Sequence, residues 1–409
     1  MNTALSQPAY RWVIVTAAAF ILAVAMGAIV NGMSAFIVPM NDAFGWGRGD
    51  TTLINLFGIL GLSFGGLIMG PLADRHGTRP VVLFGSVMLG LCYLLASTLT
   101  ALWQFYLLFF VAGFLGAGAI FPPIMAAVGN WFAVGAGVAI GIASAGQALG
   151  QGGVPFVSSM LITSLGIDGA FAATGVFILV TLVPLSFLLR QPPPVATTAE
   201  GGAQTPSETY LPSNVVITHL SAGIILCCTC MAVPLMHLVP LIQDRGFAPD
   251  QAGSVIFVML LVAIIGRLAF GKLADVIGAL PAYMTATAWM TALVFGFVLI
   301  ETLPVFYIYA VIYGFGYAGV MTGVLAAIRA LVAPSNRGLA FGIVTMFGWF
   351  GHAIGGYQAG VLYDLTGSYT ASYAVAGAAG LLNLVIVGHL LRLWRQGRRA
   401  EQGQAAAAV

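Results

Sequence analysis

Long runs of apolar residues dominate this chain, and short polar segments separate them. A helix needs about 20 consecutive apolar residues to cross the hydrocarbon core of a bilayer. Twelve such runs lie approximately at residues 12–38, 51–71, 80–99, 103–128, 137–162, 169–189, 214–241, 252–271, 281–302, 304–328, 338–362 and 370–392. The pattern therefore predicts an all-α membrane protein with twelve transmembrane helices.

One segment between these runs differs in composition from the others. Residues 191–213 have the sequence QPPPVATTAEGGAQTPSETYLPS, which is rich in Pro, Thr, Ser and Gly and is typical of a flexible linker. We therefore expect an N-terminal six-helix half at 1–190 and a cytoplasmic linker at 191–213. A C-terminal six-helix half at 214–393 and a cytoplasmic tail at 394–409 complete the predicted domains.

Composition supports a membrane protein and disfavours several other classes. Charged residues make up 6% of the chain, against about 25% in soluble domains. The net charge of +2 is too small to indicate nucleic-acid binding. The four cysteines lie in apolar runs, where packing is a better explanation than a metal site. The first run is too long for the core of a cleavable signal peptide, so we expect a first spanning helix instead.

The basic residues predict how the chain is oriented. With the N-terminus placed in the cytoplasm, 11 of the 14 Lys and Arg residues fall on the inner side and only Arg48 and Arg245 fall outside. Cytoplasmic loops carry an excess of Lys and Arg, so both termini are expected inside, in a multi-pass protein of the plasma (inner) membrane. The inner residues are Arg11, Arg75, Arg79, Arg190, Lys272, Arg329, Arg337, Arg392, Arg395, Arg398 and Arg399.

The two halves repeat at a constant spacing of 201 residues. GPLADRHG begins at Gly70 and GKLADVIG begins at Gly271. YLLFFVAGFLGAGAI begins at Tyr106 and YIYAVIYGFGYAGVM begins at Tyr307. Several anchors agree without a gap, which predicts two six-helix pseudo-repeats. Transporters built from such repeats bind their substrate near the midplane of the membrane, where the repeats meet.

Arg267 is the one basic residue left over by this sorting, because it lies inside the apolar run 253–270. A charged group at membrane depth is costly and marks a functional site by default. No Asp or Glu lies in the interior of an apolar run, so the simplest counter-charge is an anionic substrate. The alternative is that Arg267, about 6 Å along the helix from Gly271, extends to the lipid headgroups.

The loop that follows the second apolar run resembles the gating loop of the major facilitator superfamily, G-x-L-a-D-r-x-G-r-[KR]. The resemblance extends over nearly the whole chain, because the loop recurs after the eighth run. The matching residues are Gly70, Asp74, Arg75, Gly77 and Arg79 in the first copy, and Gly271, Asp275 and Gly278 in the second. The resemblance implies the major facilitator fold and a gating role for these residues, with Asp74 accepting from a helix N-terminus or a basic neighbour.

Within that superfamily, the chain is most similar to the group of monocarboxylate transporters and oxalate–formate antiporters. Gly266-Arg267 lies a helical turn before the loop glycine, as an arginine does in that group, and Arg337-Gly338-Leu-Ala-Phe-Gly342 resembles its R-G-x-A-x-G helix entry. Two features depart from the group. Ala263 stands where many members have an acidic residue, and the first and eleventh runs have no interior lysine. One fixed positive charge suits a monoanion better than a dianion.

Several other polar and aromatic residues are candidates for the substrate site. Tyr313 and Tyr317 share a face of the tenth run with Tyr309, and the resemblance places that run at the cavity. The remaining candidates are Asn31, Phe121, Gln147, Phe347 and Trp349. Packing is the alternative for the aromatic residues, and hydrogen bonding between helices is the alternative for the amides.

Two histidines are candidates for proton coupling, because histidine titrates near physiological pH. His237 lies late in the seventh run, near Pro240, and His352 follows Trp349 by about one turn in the eleventh. A polar cap at the membrane interface is the alternative for His237. Packing against Trp349 is the alternative for His352.

These residues predict a secondary transporter that carries a small monocarboxylate such as L-lactate or pyruvate, together with a proton. Its partners would be the substrate, the proton and the lipid bilayer, without nucleic acid, and we expect a monomer. Exchange of organic anions without a proton is an alternative, and a carboxylate sensor that does not transport is another. No nucleophile–base pair, metal cluster or phosphate loop is evident, so we expect neither an enzyme nor a cofactor.

Overall fold

The computed structural model describes residues 7–132, 136–190, 210–333 and 336–407, and every regular element within them is helical. The α-helices are α1 (Gln7–Met26), α2 (Ile37–Phe44), α3 (Arg48–His76), α4 (Thr78–Ala96), α5 (Leu102–Val111), α6 (Gly118–Asn130), α7 (Ala136–Ser186), α8 (Ser213–Asp244), α9 (Pro249–Ile277), α10 (Ala279–Val294), α11 (Leu303–Tyr317), α12 (Gly319–Leu331), α13 (Arg337–Thr366) and α14 (Thr370–Ala407). The all-α class predicted from the sequence is confirmed.

Eleven continuous helical stretches of the described chain are long and apolar enough to cross a membrane. One of them is 48 residues long. It lies in α7 and contains Gly166 with φ 73° and ψ −178°, which is not helical. A residue in that conformation breaks the helix, so α7 contains the fifth and sixth predicted spans. The twelve predicted helices are therefore present.

The chain divides into two compact units. The first comprises Met1–Gly202 with Met236–Leu261, and the second comprises Ala203–Leu235 with Val262–Val409. Residues 191–209, most of the predicted linker, lie outside the described part of the chain. The boundaries 1–190, 191–213, 214–393 and 394–409 stay a prediction. The predicted tail begins inside α14, which continues to Ala407.

Glycines with positive φ mark the same points in both repeats. They form the pairs Gly45 and Gly246, Gly77 and Gly278, and Gly166 and Gly367. Each pair is 201 residues apart, which is the spacing of the sequence repeat. Glycine is favoured at positive φ because it has no Cβ to clash with the backbone. The turns that end equivalent helices are therefore built in the same way, and the two pseudo-repeats are confirmed.

The first span is not one regular helix. After α1, a π-helical turn at Gly27–Asn31 and a 3₁₀ turn at Gly32–Ala35 interrupt the α-helical pattern. Three carbonyl groups in the π turn accept side-chain hydrogen bonds. Tyr93 donates to Ala28 O (2.8 Å), and Asn55 donates to Ile29 O (2.8 Å) and Val30 O (3.0 Å). These bonds satisfy backbone groups at membrane depth that would otherwise be costly to bury.

Glycines let α1 and α7 approach each other closely. A Cβ at Gly150 would lie 1.7 Å from Ala23 O, and one at Gly146 would lie 2.3 Å from Ala19 O. Gly146 and Gly150 form a G-x-x-x-G pattern, which brings membrane helices into backbone contact. In the second unit, Gly351 and Gly355 of α13 similarly contact backbone atoms of α8.

Candidate functional site

Arg267 lies in α9 with its guanidinium beside the hydroxyl of Tyr317, with which it forms a hydrogen bond. The arginine is half-buried, whereas only 5% of Tyr317 is exposed. The rings of Tyr317 and Tyr313 stack with centroids 6.3 Å apart. The buried hydroxyl of Tyr313 has no hydrogen-bond partner among the described residues. A cation and two phenol groups are therefore collected on neighbouring faces of α9 and α11.

Close contacts between helices hold Arg267 in this place. A Cβ at Gly266 would lie 2.1 Å from Phe315 O, so the backbone of α9 rests directly on α11 next to Arg267. A Cβ at Gly319 would lie 2.3 Å from the ring of Phe270, one turn further along α9. Well-packed helices fix the starting point of a long side chain, which lowers the entropy lost on binding an anion.

A second set of polar groups surrounds the break in the first span. Asn31 is completely buried and donates to Gln151 O at 3.3 Å. The Asn31 Oδ1 atom and the Ser34 hydroxyl are buried and have no hydrogen-bond partner among the described residues. Gln147, one turn before Gln151, is half-buried. Asn31 and Ser34 can therefore still form hydrogen bonds.

The aromatic candidates and the histidines fall into different surroundings. His237 in α8 is completely buried in the first unit, and Phe121 in α6 is half-buried in the same unit. His352 is 2% exposed, and its ring lies 6.3 Å from that of Trp349 in an edge-on contact. Phe347 packs edge-on against Phe350 at 6.3 Å. The contact between Trp349 and His352 is the one anticipated by the packing interpretation.

The predicted gating loops have the same backbone in both repeats. Gly77 has φ 94° and ψ 151°, and Gly278 has φ 92° and ψ 157°. Each glycine donates its N–H to the carbonyl of an alanine four residues earlier and ends a helix. Asp74 is exposed and forms no ion pair or hydrogen bond with another described residue. It borders a cavity of about 230 Å³ that Gly70, Pro122 and Asn130 also line.

Three of the remaining gating residues have exposed side chains, and Gly271 lies inside α9. Arg75, Arg79 and Asp275 are exposed, and the Arg79 guanidinium lies 4.9 Å from the centre of the Phe187 ring. Gly271 has ordinary space around it, since its nearest neighbour is a Thr322 methyl group at 3.6 Å from a built Cβ.

An ion pair that the sequence did not reveal joins Arg48, the first residue of α3, to Asp244, the last residue of α8. Both carboxylate oxygens accept from the guanidinium, at 2.5 and 2.7 Å. The side chain of Arg48 is 7% exposed and that of Asp244 is 28% exposed, so the pair is largely shielded from solvent on its arginine side. Sequence spacing gave no signal, because 196 residues separate the partners.

The sequence model described as Major Facilitator Superfamily matches residues 17–241 and 218–408 of this chain. The chain belongs to the Major Facilitator Superfamily. It is therefore a transporter and not an enzyme.

Individual relatives agree with that assignment. The chain is 29% identical over 380 residues to "Monocarboxylate transporter 13" of Rattus norvegicus, covering 90% of this chain and 86% of that protein. It is 25% identical over 401 residues to "Monocarboxylate transporter 2" of Homo sapiens, covering 90% and 83%. It is also 25% identical to "MFS-type transporter 1" of Ophiocordyceps sp. (strain BCC 1869), covering 79% and 72%. The predicted kinship with monocarboxylate transporters is thus confirmed at a distant level.

Solved structures agree on the fold. A mutant of the nucleoside transporter NupG matches with a TM-score of 0.74 at 12% identity, covering 94% of this chain and 99% of that one. The xylose transporter XylE from E. coli matches with a TM-score of 0.74 at 14% identity, covering 93% and 98%. At such identities the likeness concerns the fold alone, which is the predicted major facilitator fold.

The predicted site residues of this transporter are distributed over both compact units. Asn31, Phe121, Gln147 and His237 lie in the first unit, and Arg267, Tyr313, Tyr317, Phe347, Trp349 and His352 lie in the second. Within the second unit, the structure brings Arg267, Tyr317 and Tyr313 together. Sequence reasoning missed Ser34 and Tyr93 in the first unit, because their importance depends on the helix break, which the uniform apolar run 12–38 concealed.

Proposed function

We propose that this member of the superfamily carries small monocarboxylates, such as L-lactate or pyruvate, across the membrane together with a proton by alternating access. The observation that carries the proposal is the hydrogen-bonded pair of Arg267 and Tyr317 in the second unit. Two of the relatives quoted above bear the name monocarboxylate transporter, which supports the same substrate class.

Arg267 is suited to bind one carboxylate. Its guanidinium is planar, always charged and carries several N–H donors, so it can bind both oxygens of a carboxylate at once. The Tyr317 hydroxyl interacts with the guanidinium and helps to orient it. The Tyr313 hydroxyl, stacked behind Tyr317, offers a further donor to the substrate.

In the first unit we assign substrate contacts to the polar Asn31 and Gln147 and the apolar Phe121. In the second unit we assign apolar substrate contacts to Phe347 and Trp349. Asn31 supports this role through its buried Oδ1 acceptor, which suits the hydroxyl of a 2-hydroxy acid. The aromatic residues are half-buried and can contact a short aliphatic chain. The proposed roles of Gly70, Asp74, Arg75, Gly77, Arg79, Gly271, Asp275 and Gly278 are in gating.

We propose that the proton travels on the substrate or on a histidine, with His237 and His352 as the candidates. No Asp or Glu lies within the apolar interior of a span in this sequence. One proton moving with one carboxylate carries no net charge, so such symport is not opposed by the membrane potential. The proposed setting is the plasma (inner) membrane, with a monomeric carrier whose termini both lie in the cytoplasm.

Uptake of labelled L-lactate into proteoliposomes tests the proposal. We expect an inward proton gradient to drive uptake by the natural chain and expect Arg267→Gln to abolish it. Lys272→Gln is the matched control, because it removes one positive charge from the exposed surface of α9, five residues away. This control should retain uptake.

Three other outcomes would change the proposal. Uptake that needs internal unlabelled carboxylate, and not a proton gradient, would favour exchange of organic anions. Uptake that survives Arg267→Gln at full rate would remove Arg267 from the substrate site. Absence of binding and uptake for lactate, pyruvate and other monocarboxylates alike would overturn the substrate class.

A further inference from the structure

A groove of about 680 Å³ runs along the surface of the first unit between α1 and the end of α7. Trp12, Thr16 and Phe20 line it from α1, and Thr181, Leu185 and Leu188 line it from α7 and the residues just after it. Trp12 and Phe20 are each 43% exposed, so large apolar surfaces face the groove. Eight residues separate these two side chains, which gives the groove a length of about 12 Å along α1.

Two arginines stand at the end of the groove that lies nearest the N-terminus. The Arg11 guanidinium lies 5.0 Å from the centre of the Phe132 ring and 5.9 Å from that of Trp12. The Arg190 guanidinium lies 4.2 Å from the centre of the Tyr10 ring. Stacking on an aromatic face holds an arginine in place while its edge remains able to donate hydrogen bonds.

Hydrogen bonds tie the chain segments of this cationic end to one another. Tyr10 donates to Leu188 O at 2.8 Å, and the Trp131 indole donates to Arg190 O at 3.0 Å. The Arg11 Nε atom is buried and has no hydrogen-bond partner among the described residues. These hydrogen bonds hold together the start of α1, the end of α6 and the end of α7. The two positive charges of Arg11 and Arg190 are therefore held close to one another.

We propose that this groove binds an anionic phospholipid, with an acyl chain along α1 and the phosphate at Arg11 and Arg190. The apolar surface sits within a predicted span, where lipid is the surrounding solvent. The two cations sit at its edge, where lipid phosphates lie, and arginine binds phosphate through paired N–H groups. Charge complementarity favours an anionic over a zwitterionic headgroup.

Thermal unfolding of the purified full chain in detergent tests this site. We expect dioleoyl phosphatidylglycerol to raise Tm progressively with concentration, as a ligand of the folded state does, and to raise it more than dioleoyl phosphatidylcholine. The double substitution Arg11→Gln with Arg190→Gln should reduce the phosphatidylglycerol shift to the phosphatidylcholine value. Arg395→Gln with Arg399→Gln removes two exposed charges elsewhere and should retain the full shift.

A second pair of variants tests the acyl-chain part without touching a charge. Thr16→Trp fills the groove and should abolish the phosphatidylglycerol shift, whereas Leu107→Trp, at a residue 59% exposed on α5, should not. Inorganic phosphate alone should give no shift. Equal shifts for the two lipids, a full shift in the Arg11 and Arg190 variant, or a phosphate shift matching that of the lipid would overturn the proposal.

Discussion

At the residue scale, the hydroxyl of Tyr317 bears on whether Arg267 binds substrate or extends to the membrane surface. An arginine side chain that extended to the lipid headgroups would not form a hydrogen bond with a hydroxyl buried on the neighbouring helix. Here Tyr317 contacts Arg267 at one end and stacks on Tyr313 along its ring. The direction of the side chain, which the sequence could not give, favours the substrate interpretation.

Tyr317→Phe should therefore weaken substrate binding while leaving the fold intact. Hydrogen bonds to charged groups contribute about 1.5–3 kcal/mol, so we expect KM for carboxylate uptake to rise by about 10-fold or more. Tyr309→Phe is the matched control on the same helix, because its hydroxyl donates to Leu293 O at 2.6 Å. An unchanged KM in Tyr317→Phe would argue that this hydroxyl only packs.

Gly77 makes a different residue-scale prediction, which concerns the backbone. Its φ and ψ values fall in a region that is essentially restricted to glycine, where another residue costs about 1–3 kcal/mol. Gly77→Ala should lower the stability of the purified carrier by that amount, measured by thermal unfolding. Gly70→Ala lies in the same motif, and its Cβ would meet nothing within 4 Å. If both substitutions were equally tolerated, the turn would not depend on its glycine.

At the scale of elements, the ion pair between Arg48 and Asp244 joins helices from different repeats. Arg48 begins α3 in the first repeat, and Asp244 ends α8 in the second, yet both belong to the first compact unit. Phe156 of α7 and Phe257 of α9 stack in the same unit with centroids 5.7 Å apart. The proposed alternating access would move one repeat against the other, so contacts of this kind would form and break during transport.

A double-mutant cycle tests whether the ion pair stabilises this arrangement. We expect Arg48→Gln and Asp244→Asn each to lower stability, and the double variant to lose less than the sum, with a coupling of about 0.5–3 kcal/mol. Exchanging the charges through Arg48→Asp with Asp244→Arg should recover part of the loss. Additive effects in thermal unfolding would mean that the pair contributes nothing of its own.

The sequence predicted the positions of the transmembrane helices better than the irregular turns within them. Apolar length alone located the spans, because the bilayer sets the length of a helix whatever its neighbours are. It could not reveal the π turn ending at Asn31, since an apolar run looks the same whether its hydrogen bonds follow the α pattern or not. Asn55 and Tyr93 satisfy that turn from other helices, and their partners depend on tertiary contacts that spacing does not encode.

At the scale of the whole molecule, proposed symport of one proton with one monocarboxylate has an electrical signature. An electroneutral cycle predicts that lactate uptake responds to a pH gradient and not to a membrane potential. Uptake driven by a fixed pH gradient should keep its rate when a potassium diffusion potential is imposed with valinomycin. A rate that follows the imposed potential would indicate net charge movement and a different coupling.

The repeat could be predicted for the whole molecule because several sequence anchors, such as those that begin at Gly70 and Gly271, recur 201 residues apart. The candidate site could be predicted only in part. Arg267 is conspicuous as a charge in an apolar run, whereas Ser34 is ordinary in composition and matters only through its buried hydroxyl, which has no partner among the described residues. A residue that matters because its buried polar group has no hydrogen-bond partner can be recognised only from the three-dimensional structure.

The matched glycine pairs have a consequence for how this carrier could acquire a new specificity. Because both repeats preserve the same turns 201 residues apart, each position in one has a counterpart in the other, and Arg267 corresponds to Gly66. The helical architecture is present in both repeats, but the positive charge of Arg267 is present in only one. In the proposed site, substrate preference depends on a side chain that the two repeats do not share. A few substitutions at positions that differ between the repeats could change the substrate specificity without changing the fold.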